Sequence, residues 1–254
     1  MVNLVVLDNQ THRRLRVATT RVGGYAAVNA VSVITREFSR LLARYPIFFT
    51  KSTETGQFEP AALLGFAQGE NLFLSEGRWD AAYVPLQMQR QPFSLIPRRT
   101  TGAAQPTALD VAVDIDNAQI QAQEGERLFL DDGQATEYLQ KITSVLSALV
   151  KGSSETYAFT QRLAELDLIE PVQIKIEFVD GSDTQLQGLY WISEAHLKTL
   201  PAAQLAELRD REFLQWLYFQ MASTAHMSEL VARKNRLISG LPAAPSLGGD
   251  RGVS

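Results

Sequence analysis

Two neighbouring stretches decide the fold class because they follow different periods. The first is Thr136-Glu-Tyr-Leu-Gln-Lys-Ile-Thr-Ser-Val-Leu-Ser-Ala-Leu-Val150. Its apolar residues Tyr138, Leu139, Ile142, Val145, Leu146 and Leu149 recur at the 3.6-residue helical spacing. Thr136 stands where an N-cap belongs. The second stretch is Val172-Gln-Ile-Lys-Ile-Glu-Phe-Val179. It alternates apolar and polar residues at the strand period, and so does Thr184–Trp191 beyond the turn Asp180-Gly-Ser-Asp183. An Asp- and Gly-rich turn between two alternating runs predicts a β-hairpin.

Working outward, Gly152 predicts a break or kink after the first helix. A second helix would carry Phe159, Leu163 and Leu166 and stop at Pro171. Upstream, residues 26–34 are small and β-branched and read as a strand, and Thr35–Tyr45 reads as a short helix closed by Pro46. Ile47–Lys51 and Phe58–Phe66 flank a Gly-containing turn and predict another hairpin, with Pro60 assigning the second strand to an edge or a bulge. Residues 69–85 begin as a strand and turn irregular, Pro92–Ile96 and Leu109–Ile115 are strands, and Thr100–Thr107 is a loop. Ser193 caps a short helix, Pro201 opens the next, and the chain stays helical to about Leu237. The expectation is an α+β fold: an N-terminal, mostly antiparallel β part with a short helix, a central helical pair, a β-hairpin and C-terminal helices. One domain would cover 1–238, followed by a disordered Gly-, Pro- and Ala-rich tail at 239–254.

Composition narrows the chemistry. The 254 residues are 45% apolar, enough to bury a sizeable core. They include no cysteine, which removes disulfides, thiolate nucleophiles and cysteine-bound metal centres. The start, Met1-Val-Asn-Leu-Val-Val-Leu-Asp8, lacks the basic region and long apolar core of a secretory leader, and no apolar run approaches a membrane span. A cytoplasmic protein without membrane insertion is expected. Net charge is −4 but unevenly placed. Residues 1–50 hold seven arginines (13, 14, 16, 21, 36, 40, 44) against Asp8 and Glu37, whereas the chain beyond residue 100 is acidic. The basic start either docks on the acidic remainder or forms an anion- or partner-binding face. Nucleic acid is not expected, since an acidic chain lacks the phosphate-neutralising excess.

No G-x-S-x-G, G-x-x-x-x-G-K-[ST] or G-x-G-x-x-G occurs, and Gly23-Gly24 is too short a signal for a phosphate cradle. The histidines at 12, 196 and 226 form no metal-binding pair. Asp110, Asp114 and Asp116 would share one strand face, a solvated edge more readily than a cation site. No catalytic residue, metal or cofactor is assigned. The densest mixture of charged and aromatic residues is Glu70, Asn71, Arg78, Trp79, Asp80 and Tyr83 in an irregular stretch. With Asp116 these are the candidate binding residues. The same stretch equally reads as a polar knot that specifies the fold. Around Trp216, Tyr218 and Phe219 the helix is aromatic on all sides, a buried helix or a partner-binding surface.

These residues carry a resemblance. Tyr45-Pro-Ile-Phe-Phe49, Thr55-Gly-Gln-Phe-Glu-Pro60 leading into Ala62-Leu-Leu-Gly65, Glu70-Asn-Leu-Phe73, Gly77-Arg-Trp-Asp-Ala81, Tyr83-Val-Pro85 and Pro92-Phe93 resemble the bacterial SapC family. So do Ile115-Asp116, Leu128-Phe129, Asp132-Gly133, Thr136-Glu137, Leu166-Asp-Leu-Ile-Glu-Pro171, Gly188-Leu-Tyr190 and Arg233-Lys-Asn235 further on. Gln87-Met-Gln-Arg-Gln91 departs from the family's more basic and aromatic pattern. The resemblance implies a non-enzymatic accessory or binding protein in an uptake- or surface-layer-related system, with a protein or peptide partner. The alternative is an enzyme or small-molecule binder of unrecognised type, built from Glu70, Arg78, Asp80 and Tyr83. Oligomeric state is open.

Overall fold

The computed structural model describes residues 2–19, 27–75, 77–98, 108–121 and 123–241. The loop expected at Thr100–Thr107, the Gly23-Gly24 pair and the tail from 242 onward lie outside them. In chain order the elements are β1 (Leu4–Val6), β2 (Arg16–Val17), β3 (Ala30–Ser32), a 3-10 turn (Thr35–Glu37) running into α1 (Phe38–Leu41), β4 (Ile47–Lys51) and β5 (Phe58–Leu63). Then come β6 (Leu74–Ser75), β7 (Arg78–Trp79), α2 (Leu86–Gln89), β8 (Phe93–Pro97), β9 (Leu109–Asp114), β10 (Ile120–Gln121) and β11 (Glu126–Arg127). The last are α3 (Glu137–Glu165), β12 (Ile169–Glu177), β13 (Asp183–Ile192), α4 (Glu194–Thr199), α5 (Ala202–Asp210), α6 (Phe213–Ser223) and α7 (Met227–Ile238). Antiparallel sheets with C-terminal helices make this an α+β fold. Among the described residues no helix is long and apolar enough to cross a membrane.

The chain forms two compact units, and α3 contributes to both. The first comprises 1–26, 76–78 and 86–150. It holds two three-stranded antiparallel sheets, β1-β9-β8 and β10-β2-β11. Their apolar faces meet the start of α3 in a core of Val17, Phe93, Val113, Leu128, Phe129, Leu139, Ile142 and Leu146. The helical stripe read from the sequence is therefore the stripe that is buried. Thr136 caps α3 as expected: its Oγ1 accepts the Leu139 N–H at 3.3 Å and donates to the Arg127 carbonyl at 2.6 Å.

The second unit comprises 27–75, 79–85 and 151–254. Its antiparallel sheet has the order β12-β13-β4-β5-β3, and both predicted hairpins are present. Phe159 on α3 sits at the centre of an aromatic cluster, its ring 6.3 Å from Phe38 and from Phe49, 5.4 Å from Phe213 and 5.6 Å from Trp216. Where β13 and β4 part after two paired residues, the buried Gln220 of α6 accepts from Ile192 N–H and donates to the Ile47 carbonyl. An amide side chain thus replaces the ladder where the strands diverge.

Three local expectations are corrected. The central helical pair is one 29-residue helix that Gly152 does not break. A Cβ at Gly152 would stand 2.4 Å from Ile34 Cδ1, so the glycine admits Ile34 against the helix. That close packing outweighs the ~1 kcal/mol propensity cost of an interior glycine. Pro171 does not stop α3 but lies within β12, an edge strand, where a missing N–H is tolerated. The stop is Asp167 at φ 52°: Leu168 N–H returns to the Leu163 carbonyl and Asp167 N–H to Ala164, with Leu163 and Leu168 both buried. Finally, β5 is not an edge. Pro60 accepts from Val33 N–H on the side of β3 but has no N–H to return, so the pairing to β3 ends at Ser32 opposite Ala61.

Candidate functional site

The signature stretch 70–83 is held by α7 and by its own turns. Gly65 lets the chain fold back, for a Cβ there would meet the Glu70 carbonyl oxygen at 2.5 Å. Glu70 Oε2 then accepts from Phe66 N–H at 2.7 Å, and its Oε1 receives Lys234 Nζ at 2.5 Å. Asn71 Oδ1 accepts from Phe73 N–H. Asp80 Oδ2 receives Arg233 Nη1 at 2.7 Å, while Arg233 also reaches the Asp80 and Leu72 carbonyls and Glu229. The Arg233 guanidinium lies 4.5 Å over the Phe73 ring, which stacks on Trp79. Trp79 Nε1 donates to Tyr45 Oη, and Tyr45 donates to the Tyr83 carbonyl. Tyr83 Oη donates to Glu37 at 2.9 Å. Burial pushes both phenols well above their ordinary range, so both stay protonated and donate, Tyr45 also accepting from Trp79 Nε1.

Glu70, Asn71, Trp79, Asp80 and Tyr83 therefore lie in one network of the second unit, with Arg233 and Lys234 as the cations that complete it. The side chains of Arg233, Glu70 and Asp80 are only 10%, 14% and 15% exposed. Asn71 Nδ2 and Arg233 Nε are buried without a hydrogen-bond partner among the described residues. Asn235 extends the same clamp by accepting from Val179 N–H. Arg78 and Asp116 belong to the first unit, both exposed. Asp110, paired with Arg98, and Asp114, which accepts from Asn3 N–H, lie at alternating positions of β9 on one face, but Asp116 falls in the turn after the strand and does not join them. Among the described residues no group of three or more His, Asp or Glu side chains is placed to hold a metal. His12, His196 and His226 each bond to backbone: Asp8 N–H, the Asp167 carbonyl and the Leu42 carbonyl. On α6, Phe213 and Leu217 are buried, Trp216 and Phe219 half-buried, and Tyr218 52% exposed.

The first unit contains a different arrangement. A cavity of about 400 Å³ is lined by Arg13, Arg14, Arg16, Arg127 and Asp131. Arg13 and Arg14 stand on a turn fixed by Asp8, whose Oδ1 accepts from the N–H groups of Gln10 and Thr11, and by His12. Arg16 lies on β2 and Arg127 on β11. Gly125 permits that pairing, since a Cβ there would meet the Val17 carbonyl at 2.3 Å. The Arg127 carbonyl is held by the α3 cap, and Asn9 Nδ2 donates to the Gly133 carbonyl, tying the arginine turn to the loop that carries Asp131. Sequence reading reached Arg13, Arg14 and Arg16 as part of a basic segment but not Arg127 or Asp131. Arg127 joins Arg16 only through a strand register spanning more than a hundred residues.

A protein-family model described as SapC matches residues 7–230. No curated protein and no solved structure matches the chain.

Proposed function

The chain belongs to the SapC family, and from that premise we propose that it is a non-enzymatic accessory protein that engages a protein or peptide partner through the arginine-lined cavity of its first unit. The observation that carries this reading is that four arginines line one cavity. Such groups recognise carboxylates or phosphates by paired N–H donors and need no titrating base. The network around Arg233 supports it from the other side. Its carboxylates are committed to ion pairs and its phenols to donation, so these groups maintain the second unit's shape. The resemblance to the SapC family supports a role in an uptake- or surface-layer-related system, and the proposal has the protein acting in the cytoplasm.

The test is photo-crosslinking in the native host from a photoreactive residue introduced at the exposed Thr11, followed by mass spectrometry. A specific protein or peptide adduct that disappears when Arg13 and Arg14 are both changed to alanine is expected. Adducts insensitive to those changes, or substrate turnover by the purified chain that depends on Asp80 or Tyr83 while the fold persists, would refute the reading.

A further inference from the structure

The strand register makes the arginine cavity electrostatically unusual. Arg16 and Arg127 are direct cross-strand partners on β2 and β11. Like charges directly opposite one another destabilise an antiparallel pair. Two restraints hold them there: Arg16 donates to the Gly125 carbonyl at 3.0 Å, and Arg127 donates to Asp131 at 2.5 Å. Arg13 and Arg14 have no ion pair among the described residues. Among the described lining residues four cations thus stand with one carboxylate. That carboxylate is 89% exposed, so its pair with Arg127 is weak and easily exchanged. Arg127, by its hydrogen bond and its charge, and more weakly Arg13, hold the Asp131 carboxyl below its ordinary range, a sign that the cavity favours bound carboxylate. A local rule broken with only one exposed carboxylate to offset four cations is what a site that receives an anionic ligand shows.

We propose that the cavity formed by Arg13, Arg14, Arg16 and Arg127 binds an acidic peptide segment through two of its carboxylate side chains, and that Asp131 is an internal placeholder which the segment displaces. This rests on the partner-binding reading and specifies its chemistry. The volume of about 400 Å³ corresponds to about a dozen water-sized units, room for two Asp or Glu side chains of four or five heavy atoms each. Among the described residues the lining is four arginines and one aspartate, with no aromatic ring to stack a base. Its donors are guanidinium forks on two separated segments, not the converging backbone N–H groups of a single-phosphate cradle.

The experiment measures binding of a fluorescein-labelled oligoglutamate peptide to the full chain by anisotropy, at low and high salt. Saturable one-to-one binding is expected. Affinity should fall about tenfold in the double variant Arg13→Ala with Arg14→Ala. It should rise about threefold in Asp131→Asn, where the competing charge is gone. The control Arg36→Ala, which removes an exposed arginine of the second unit, should change nothing; circular dichroism verifies folding of each variant. Absence of peptide binding, equal weakening by Arg36→Ala, or indifference to the double variant overturns the proposal. Binding of pyrophosphate in place of the peptide overturns it in favour of a phosphate ligand, and a loss of affinity in Asp131→Asn overturns the placeholder role. If oligoglutamate fails while Thr11 still captures a partner, this inference falls and the partner-binding reading stands. If oligoglutamate binds and Thr11 captures nothing, the reverse holds.

Discussion

Changing Arg233 to alanine tests whether the signature residues hold the fold. The perturbation removes a guanidinium that is 10% exposed and leaves Asp80, 15% exposed, with its charge unpaired. It also strips the Leu72 and Asp80 carbonyls of a donor and takes a cation from the face of Phe73. Removing one partner of a buried ion pair costs about 3–5 kcal/mol, and the partial exposure of Asp80 places this case near the lower end. Asp80→Asn should cost less, about 1–2 kcal/mol, because the amide oxygen still accepts and Arg233 keeps Glu229 at 3.3 Å. In the double variant the two losses should fall short of their sum by about 1–2 kcal/mol, the coupling of residues that share a bond. The assay is urea unfolding followed by tryptophan fluorescence. All three tryptophans (Trp79, Trp191 and Trp216) lie in the second unit, so the signal reports the unit that is perturbed. An Arg233→Ala cost below about 1 kcal/mol, as for an exposed pair, with no coupling to Asp80, would refute the argument that this network is structural.

Other outcomes follow from the same geometry. Gly152→Ala should destabilise by about 1 kcal/mol, because overpacking against Ile34 exceeds the gain in helix propensity; trimming the neighbour with Ile34→Val should recover part of the loss in a double-mutant cycle, whereas a net stabilisation by Gly152→Ala alone would contradict it. Glu212→Gly should stabilise by about 1 kcal/mol, since the N-cap of α6 sits at φ 62° where a Cβ is strained; an unchanged or lower urea midpoint would disprove the strain. Asp8, Glu155, Glu170 and Glu207 all have their carboxyl groups lowered by hydrogen bonds, from backbone N–H groups for Asp8, Arg36 for Glu155, Ser193 and Trp191 for Glu170, and Arg162 for Glu207. A lowered folded-state value means stability that is complete above the ordinary carboxyl range and lost as pH falls through and below it, so melting temperature should drop from about pH 4.5 downward. A melting temperature constant down to pH 3 would show that these bonds do not persist in solution.

What the sequence determined by itself was local and periodic. The 3.6-residue stripe from Tyr138 to Leu149 and the alternation about Asp180-Gly-Ser-Asp183 fixed a helix and a hairpin, because apolar spacing and turn chemistry act within a few residues. The ordered match of Tyr45–Phe49, Glu70–Phe73 and Leu166–Pro171 sufficed to identify the family. Only the tertiary structure decided what depends on distant partners. Gly152 read as a helix breaker until Ile34 was seen packed against it, and Asp167 gave no stop signal because that backbone conformation usually calls for glycine. Glu70, Asp80 and Tyr83 looked as ready for chemistry as for structure until α7 supplied Lys234 and Arg233 from more than 150 residues away and α1's leading turn supplied Glu37. That Arg127 completes the cavity of Arg13, Arg14 and Arg16 was not legible for the same reason. Net charge along a chain is additive and can be counted, whereas the field inside a cavity depends on which strands pair, and that register placed Arg127 beside Arg16.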